Sequence, residues 1–275
     1  MEIAVVGHVE WIDFLRLEHL PTPGQIVHAQ ESWEEPGGGG AVAAVQLAKL
    51  AGGASFFTAL GDDARGRRAE RELTDLGLAV HAAWRAAPQR RAITPIDSSG
   101  ERTIIVLGER VSPRSTDPLP WEDLQNADGV YFTAGDVQAL HRARKARVLV
   151  ATSRVLPVLQ QARVRLDAIV GSAADPAERF EPKDLVPPPH LVVRTAGRSG
   201  GTYQVGEGES VHFPPAPVPG PIQDAYGAGD SFAAGLTYGL ATGWPPAKAV
   251  SFAARCGAAV LTGRGPYEGQ LASPE

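Results

Sequence analysis

Cysteine and methionine are almost absent: Cys256 and Met1 are single occurrences in 275 residues. A lone cysteine excludes an internal disulfide, and the 7 histidines stand nowhere at zinc-ligand spacing from it or from one another. A reducing compartment and no structural zinc are expected. No charge-free apolar run of about 18 residues occurs. The Ala-rich C-terminal stretch is interrupted by Asp230, Pro245, Pro246, Lys248 and Arg255, so no membrane partner is expected. Blocks of like charge are missing too. Lys and Arg number 26 against 31 Asp and Glu, a net charge of −5, which argues against nucleic acid as a partner. The start, Met1-Glu2-Ile3-Ala4-Val5-Val6-Gly7, has no basic segment followed by a long apolar one. No secretory leader is therefore expected, and the cytoplasm is the expected address. Neither G-x-x-x-x-G-K-[ST] nor a G-x-G-x-x-G after the first apolar run is present, which argues against a P-loop NTPase and a Rossmann oxidoreductase.

What remains is an ordinary globular composition, 43% hydrophobic and 21% charged. Ile3 to Val6 is a short apolar run that predicts a buried strand. Trp11 to Leu17 and Gln25 to Trp33 are strand-like patches. Gly37 to Gly40 opens a helix-forming stretch, Ala41 to Leu50, stopped by Gly52-Gly53. A strand (Ala54 to Leu60), a charged helix (Asp63 to Leu76) and a strand (Ala79 to Trp84) follow. Arg91 to Asp97 and Arg102 to Leu107 flank Ser98-Ser99-Gly100-Glu101 and predict a hairpin. From Val130 strands alternate with helices: Val130 to Thr133, Asp136 to Arg144, Val148 to Ala151, Arg154 to Ala162, Ala168 to Val170, then Leu191 to Arg194. That spacing suits βαβ crossovers and a parallel sheet. Turn-rich Thr195 to Gly201 and short strands to Phe213 precede a stiff Pro-rich loop, Pro214 to Pro221, and the last helices. No internal repeat or interdomain linker is visible.

Chemistry concentrates in Asp224-Ala225-Tyr226-Gly227-Ala228-Gly229-Asp230-Ser231-Phe232-Ala233-Ala234-Gly235. Gly227 and Gly229 permit a tight turn into a helix whose free N–H groups and dipole suit a phosphate or a developing anion. Asp230 in the first turn favours the dipole on any reading, and beside such an anion site it also suits a base that takes a hydroxyl proton. The segment resembles the second signature of the ribokinase or PfkB carbohydrate kinase family, D-T-x-G-A-G-D-x-F-x-x-G. Asp224, Gly227, Ala228, Gly229, Asp230, Phe232 and Gly235 match it, with Ala225 in place of Thr. In the family's order, Gly37-Gly38-Gly39-Gly40-Ala41 resembles G-G-x-G-x-N, Gly61-Asp62-Asp63 with Gly66 resembles G-D-D-x-x-G, with Gly77-Leu78 like the G-V after it, and Thr195 to Gly200 resembles T-x-G-x-x-G.

The resemblance implies an α/β fold, a Rossmann-like αβα sandwich (ribokinase-like) with a small β-sheet lid. One kinase domain would span residues 1–275, with lid segments near 11–33 and 79–107. It implies an ATP-dependent phosphotransferase acting on a hydroxyl of a small sugar or sugar-like acceptor. Asp230 would be the general base and Gly227, Ala228 and Gly229 the anion hole. Thr195, Gly197, Gly200, Ser172 and Asp175 would meet ATP, and Asp13, Gly37, Gly38 and Asp224 the acceptor. Mg²⁺ is expected with the phosphates, without assigned metal ligands, and a monovalent cation near Asp224 and Gly263-Arg264-Gly265. A homodimer through the lid is also expected. Three departures bear on acceptor and metal. Val42 stands for the family's sugar-binding Asn, Ser172-Ala173-Ala174-Asp175 for N-x-x-E, and no Glu follows Thr133. A nucleoside kinase, with Trp11, Trp33 or Trp84 stacked on a base, and a binding regulator without turnover are the two alternatives.

Overall fold

The computed structural model describes residues 1–273. Its centre is a nine-stranded sheet built from β1 (Ile3–Val6), β4 (Ala54–Gly61), β5 (Leu78–Arg85), β8 (Gly129–Phe132), β9 (Val148–Thr152), β10 (Ala168–Ser172), β11 (Leu191–Thr195), β12 (Gly201–Val205) and β13 (Ser210–Phe213). The order is β13-β12-β11-β10-β9-β8-β1-β4-β5. The strands from β11 to β5 are parallel, and β12 and β13 run antiparallel at one edge. Such a sheet must be covered on both faces, which is why β1 and β8 are buried along their whole length and read as unbroken apolar runs.

Alternation along β1 assigns the faces. Ile3 and Val5 join the core beneath α1 (Gly39–Ala51), α2 (Ala64–Asp75), α5 (Ala228–Ala241) and α6 (Pro246–Ala259). Ala4 and Val6 join the core beneath α3 (Val137–Ala143) and α4 (Leu156–Ala162). Small residues let α5 and α6 approach closely. A Cβ on Gly235 would lie 2.7 Å from the Cys256 sulfur.

A second sheet, β3-β2-β6-β7, stands off the carboxyl ends of the central strands. It comprises β2 (Glu10–Arg16), β3 (Glu31–Gly37), β6 (Arg91–Ile96) and β7 (Ile105–Leu107). The expected lid boundaries need correction at two points. Residues 78–85 form β5 and pair in parallel with β4 in the main sheet, because the α2 crossover returns the chain beside the strand it left. In the first lid segment β2 pairs as expected, but its partner β3 starts only at Glu31 and runs on to Gly37, so residues 25–30 of the second strand-like patch lie outside the sheet. The hairpin turn forms where expected, with Asp97 Oδ1 accepting from the Ser99 and Glu101 amides at 2.8 and 3.1 Å. Its tip reaches the chain before α5, where the Ala225 amide donates to the Gly100 carbonyl at 3.0 Å.

Candidate active site

β1 lies between β8 and β4, and the connections from β1 and β8 leave in opposite directions. This is the switch point at which open α/β sheets bind ligands, outside the carboxyl ends of the strands. Gly7 and His8 follow β1 there, Thr133 follows β8, and His8 Nδ1 lies 3.3 Å from Thr133 Oγ1. The glycine run closes the crevice from the α1 side. A Cβ on Gly40 would sit 2.6 Å from the His8 backbone, and one on Gly39 would sit 2.7 Å from Asp230 Oδ1. Gly38, at φ +85°, packs against Glu10 and His8 and caps α1 without any side-chain bond. The glycines are needed because a helix start, a strand exit and a carboxylate share one small space.

α5 approaches the same point. Gly227 caps it at φ +81° with no side-chain cap, so the first-turn amides are left for a ligand. Gly229 faces open space, with nothing within 4 Å of a Cβ built on it. Asp230 is held at the base of this opening. Burial pushes its carboxyl up to about 6, opposed by Arg154 and Arg102, while Glu178 and Glu10 add to the rise. Two uncapped helix starts, α1 and α5, thus converge on one partly desolvated carboxylate.

A cavity of about 810 Å³ extends from Asp230 over β9, β10 and β11 to the start of β12. Gly227, Ala228, Gly229 and Asp230 form one end of its lining, and Ser172, Asp175, Thr195, Gly197 and Gly200 lie along it. All five residues expected to meet ATP therefore border the space that the α5 amides open onto. The lid tip, Ser99 to Arg102, borders it as well.

The four expected acceptor residues are placed differently. Gly38 lies against His8 and Glu10 as described. Gly37 ends β3 opposite Glu10, and a Cβ there would meet the Ile12 side chain at 2.8 Å. Asp224 is fully buried, its Oδ1 accepting from the Tyr226 amide at 2.7 Å and its Oδ2 from the Gly265 amide at 3.1 Å. Asp13 is a correction. It lies within lid strand β2 with its carboxylate taken by Arg91 at 2.5 Å, and the acid facing the Gly38 backbone is Glu10. The cause is register: alternation along β2 sends Asp13 to the face opposite Glu10 and Ile12. Val42, in place of the expected Asn, is fully buried under Gly227, 2.9 Å from where a Cβ there would be.

Several side chains at the site carry no motif. Arg154, just past β9, pairs with Glu178 Oε1 at 2.6 Å and Asp175 Oδ2 at 2.9 Å. Glu178 is buried and accepts from the Ser172 amide at 2.9 Å. Arg90 Nε lies 2.9 Å from Glu10 Oε1. Tyr131 and Thr152 border the cavity near Asp230, and burial raises the Tyr131 hydroxyl. The one available signal was position, since Thr152 and Arg154 stand just beyond the carboxyl end of a predicted strand, while Tyr131, inside its strand, gave none. The tryptophans offered for base stacking are already committed. Trp11 is fully buried beneath Arg68, Trp33 stacks on Phe14 at 4.9 Å, and Arg67 lies 3.5 Å from the Trp84 ring.

Comparison with known proteins bears on the family and the fold. A fructokinase from Klebsiella pneumoniae is 29% identical over 287 aligned residues, covering 86% of this chain and 90% of its own. An ATP-dependent ribose-1-phosphate kinase from Halopiger xanaduensis is 26% identical, covering 100% of this chain and 95% of its own. The structure of Arabidopsis thaliana ribokinase complexed with ribose and ATP superposes with a TM-score of 0.74 at 21% identity, over 98% of this chain and 96% of that one. The model of the pfkB family of carbohydrate kinases matches residues 1–272. Fold, glycine cradle and family match together make this chain a member of the pfkB family of carbohydrate kinases, which are phosphotransferases.

Proposed function

We propose that the chain transfers the γ-phosphoryl group of ATP to a hydroxyl of a small sugar-like acceptor, with Asp230 as general base. The observation that carries this is the position of Asp230, between the open end of the nucleotide-sized cavity and the glycine cradle behind His8 and Glu10. An acceptor hydroxyl placed against the cradle gives its proton to Asp230 as its oxygen attacks phosphorus. A carboxyl near 6 is largely ionised at neutral pH and so ready to take it. The amides of Gly227, Ala228 and Gly229 face the phosphoryl oxygens, where charge gathers during transfer. Arg154, fixed by Asp175 and Glu178, brings a positive charge to the same place.

Among the described residues no group of three or more His, Cys, Asp or Glu is arranged to hold a metal ion. Mg²⁺ does not need one, because in phosphoryl transfer it keeps several waters and is held by substrate phosphates with one or two carboxylates. Asp175 and Glu178 are the carboxylates on the cavity wall nearest the expected phosphates, each also bound by Arg154, and an ion held there with the phosphates would neutralise part of their charge. A monovalent cation at Asp224 has less support, since both carboxylate oxygens there already accept backbone amides. No step is assigned to it.

The names of the two relatives refer to a sugar and to a sugar phosphate, which supports a sugar-like acceptor over a nucleoside. The packed tryptophans point the same way, because none is left to stack on a base. The exposed edge strand β7, with Ile105, Val106 and Leu107 outward, is where a second copy of the lid would pair.

The test is ADP release from Mg·ATP across pentoses, hexoses, sugar acids, sugar phosphates and nucleosides, with Asp230→Asn alongside. The expected result is stimulation by a sugar-like acceptor and a loss in kcat of about 10²- to 10⁴-fold in the variant, with ATP binding retained. Equal turnover by the variant would remove Asp230 as the base. A regulator without turnover would instead bind ATP and show no stimulation by any acceptor.

A further inference from the structure

Two arginines beside the glycine cradle have no evident role in holding ATP. Arg90 precedes lid strand β6 and Arg110 follows β7, and the pairing of Arg91 with Leu107 brings these two strand ends together. The Arg90 backbone is fixed by its carbonyl, which accepts from the Trp11 amide at 2.8 Å. Its Nε lies 2.9 Å from Glu10 Oε1, in a direction that makes no hydrogen bond. Arg110 makes no ion pair and no hydrogen bond among the described residues. Neither arginine borders the nucleotide cavity, where Arg154 and Arg102 already stand. Like charges gathered with fewer counter-charges than guanidinium groups call for an anion from outside.

We infer that the acceptor itself carries an anionic group, a phosphate or a carboxylate, which docks between Arg90 and Arg110 while the hydroxyl to be phosphorylated faces Asp230. The inference rests on the kinase reading and adds the acceptor's class to it. The local field agrees. His8 is held well below its ordinary value by burial first and then by Arg110, Arg90 and Arg154, so it faces the acceptor neutral, able to accept or donate a hydroxyl bond. Arg110 is lowered by desolvation and then by its neighbour Arg90, with Glu10 opposing, and the opposite charge of an anion between the two arginines would offset that lowering. Glu10 is the single acid among them. Its one negative charge is shared between Arg90 and Arg110, which leaves the pair of arginines with one positive charge in excess.

The experiment compares sugar phosphates, sugar acids and the matching neutral sugars as acceptors, for the wild type, Arg110→Ala and Arg110→Lys. Arg110 is exposed, so its replacement leaves the core intact. The inference expects higher kcat/KM for one anionic class, and which class responds separates phosphate from carboxylate. Arg110→Ala should raise KM for that acceptor about tenfold to a hundredfold with KM for ATP unchanged, Arg110→Lys should recover part of the loss, and added salt should raise the wild-type KM. Neutral sugars used as well as anionic ones, or an Arg110→Ala effect equal on both, would overturn it. Calorimetric titration of Asp230→Asn with the same compounds separates the two readings. Anion binding without turnover in the wild type defeats the kinase and keeps the anion site, whereas turnover confined to neutral acceptors keeps the kinase and defeats the anion site.

Discussion

On the proposed assignment, Asp230 ties activity to stability through one carboxyl. Its ordinary value is 3.8, and burial moves it to about 6 in the folded chain. The folded state therefore holds this proton more tightly than the unfolded one. Between those two values stability contributed by the group falls as pH rises, and above about 6 the charged form is a constant cost to the fold. Asp230→Asn removes that cost. Its Tm at pH 7.5 should exceed the wild type's, on the order of 2–4 °C per kcal/mol recovered, while activity is lost. Calorimetric scans at pH 7.5 and pH 4 test this, since the difference should shrink at the lower pH. In the wild type, kcat/KM should fall on the acid side of about pH 6 as the base takes up its proton, and a pH profile without that limb would contradict the assignment. Gly227 and Gly229 make a paired test. Gly229 faces open space, so Gly229→Val should fold normally and raise KM for ATP by filling the phosphate position. Gly227→Ala forces a side chain into φ +81° and against Val42. It should lower stability by about 1 kcal/mol or more, read by chemical denaturation.

Elements matter here through their ends. β1, β8, β9 and β10 contribute little chemistry along their lengths, yet the residues just beyond them, His8, Thr133, Arg154 and Asp175, surround the site. α1 and α5 likewise act through their uncapped starts. The lid works as one sheet. Its β3 end, Gly37, passes directly into the glycine cradle, and the Tyr226 hydroxyl accepts from the Gly38 amide at 2.9 Å while its ring meets Phe14 edge-on at 5.2 Å. Movement of the lid would therefore be felt at both helix starts. The outer edge of the lid, β7, exposes apolar side chains and unpaired backbone. If a second copy pairs there, Val106→Lys should turn a dimer into a monomer in size-exclusion chromatography coupled to light scattering. A wild-type chain that is monomeric at high concentration would remove that use of the edge.

For the molecule as a whole, the α5–α6 layer behind the site gives a reporter. Cys256 is fully buried and its thiol is pushed up to about 12 by burial, so the reactive thiolate is scarce and shielded. Labelling by a thiol reagent should follow global unfolding in denaturant, and Mg·ATP should shift its midpoint upward by binding the folded state alone. Fast labelling of the native chain would show that this layer opens locally.

The sequence by itself determined the parallel α/β architecture, the strands at the sheet centre, the helix starting at the Gly227 turn and the turn from Thr195 to Gly200 that borders the same cavity. These are local matters: apolar runs mark buried strands, and glycine turns mark helix starts. Only the tertiary structure decided that residues 78–85 belong to the main sheet, that Glu10 and not Asp13 faces the cradle, that Arg154, Arg102 and Glu178 gather around Asp230, and that Arg90 and Arg110 gather around Glu10. The register of β2 can slip by one residue without altering its apolar appearance, yet the slip exchanges the two faces. The arginines come from segments far apart in the chain, and an isolated arginine looks like any solvated surface charge. Their meaning arises from the strand order and the lid pairing, which bring distant charges together where water is partly excluded.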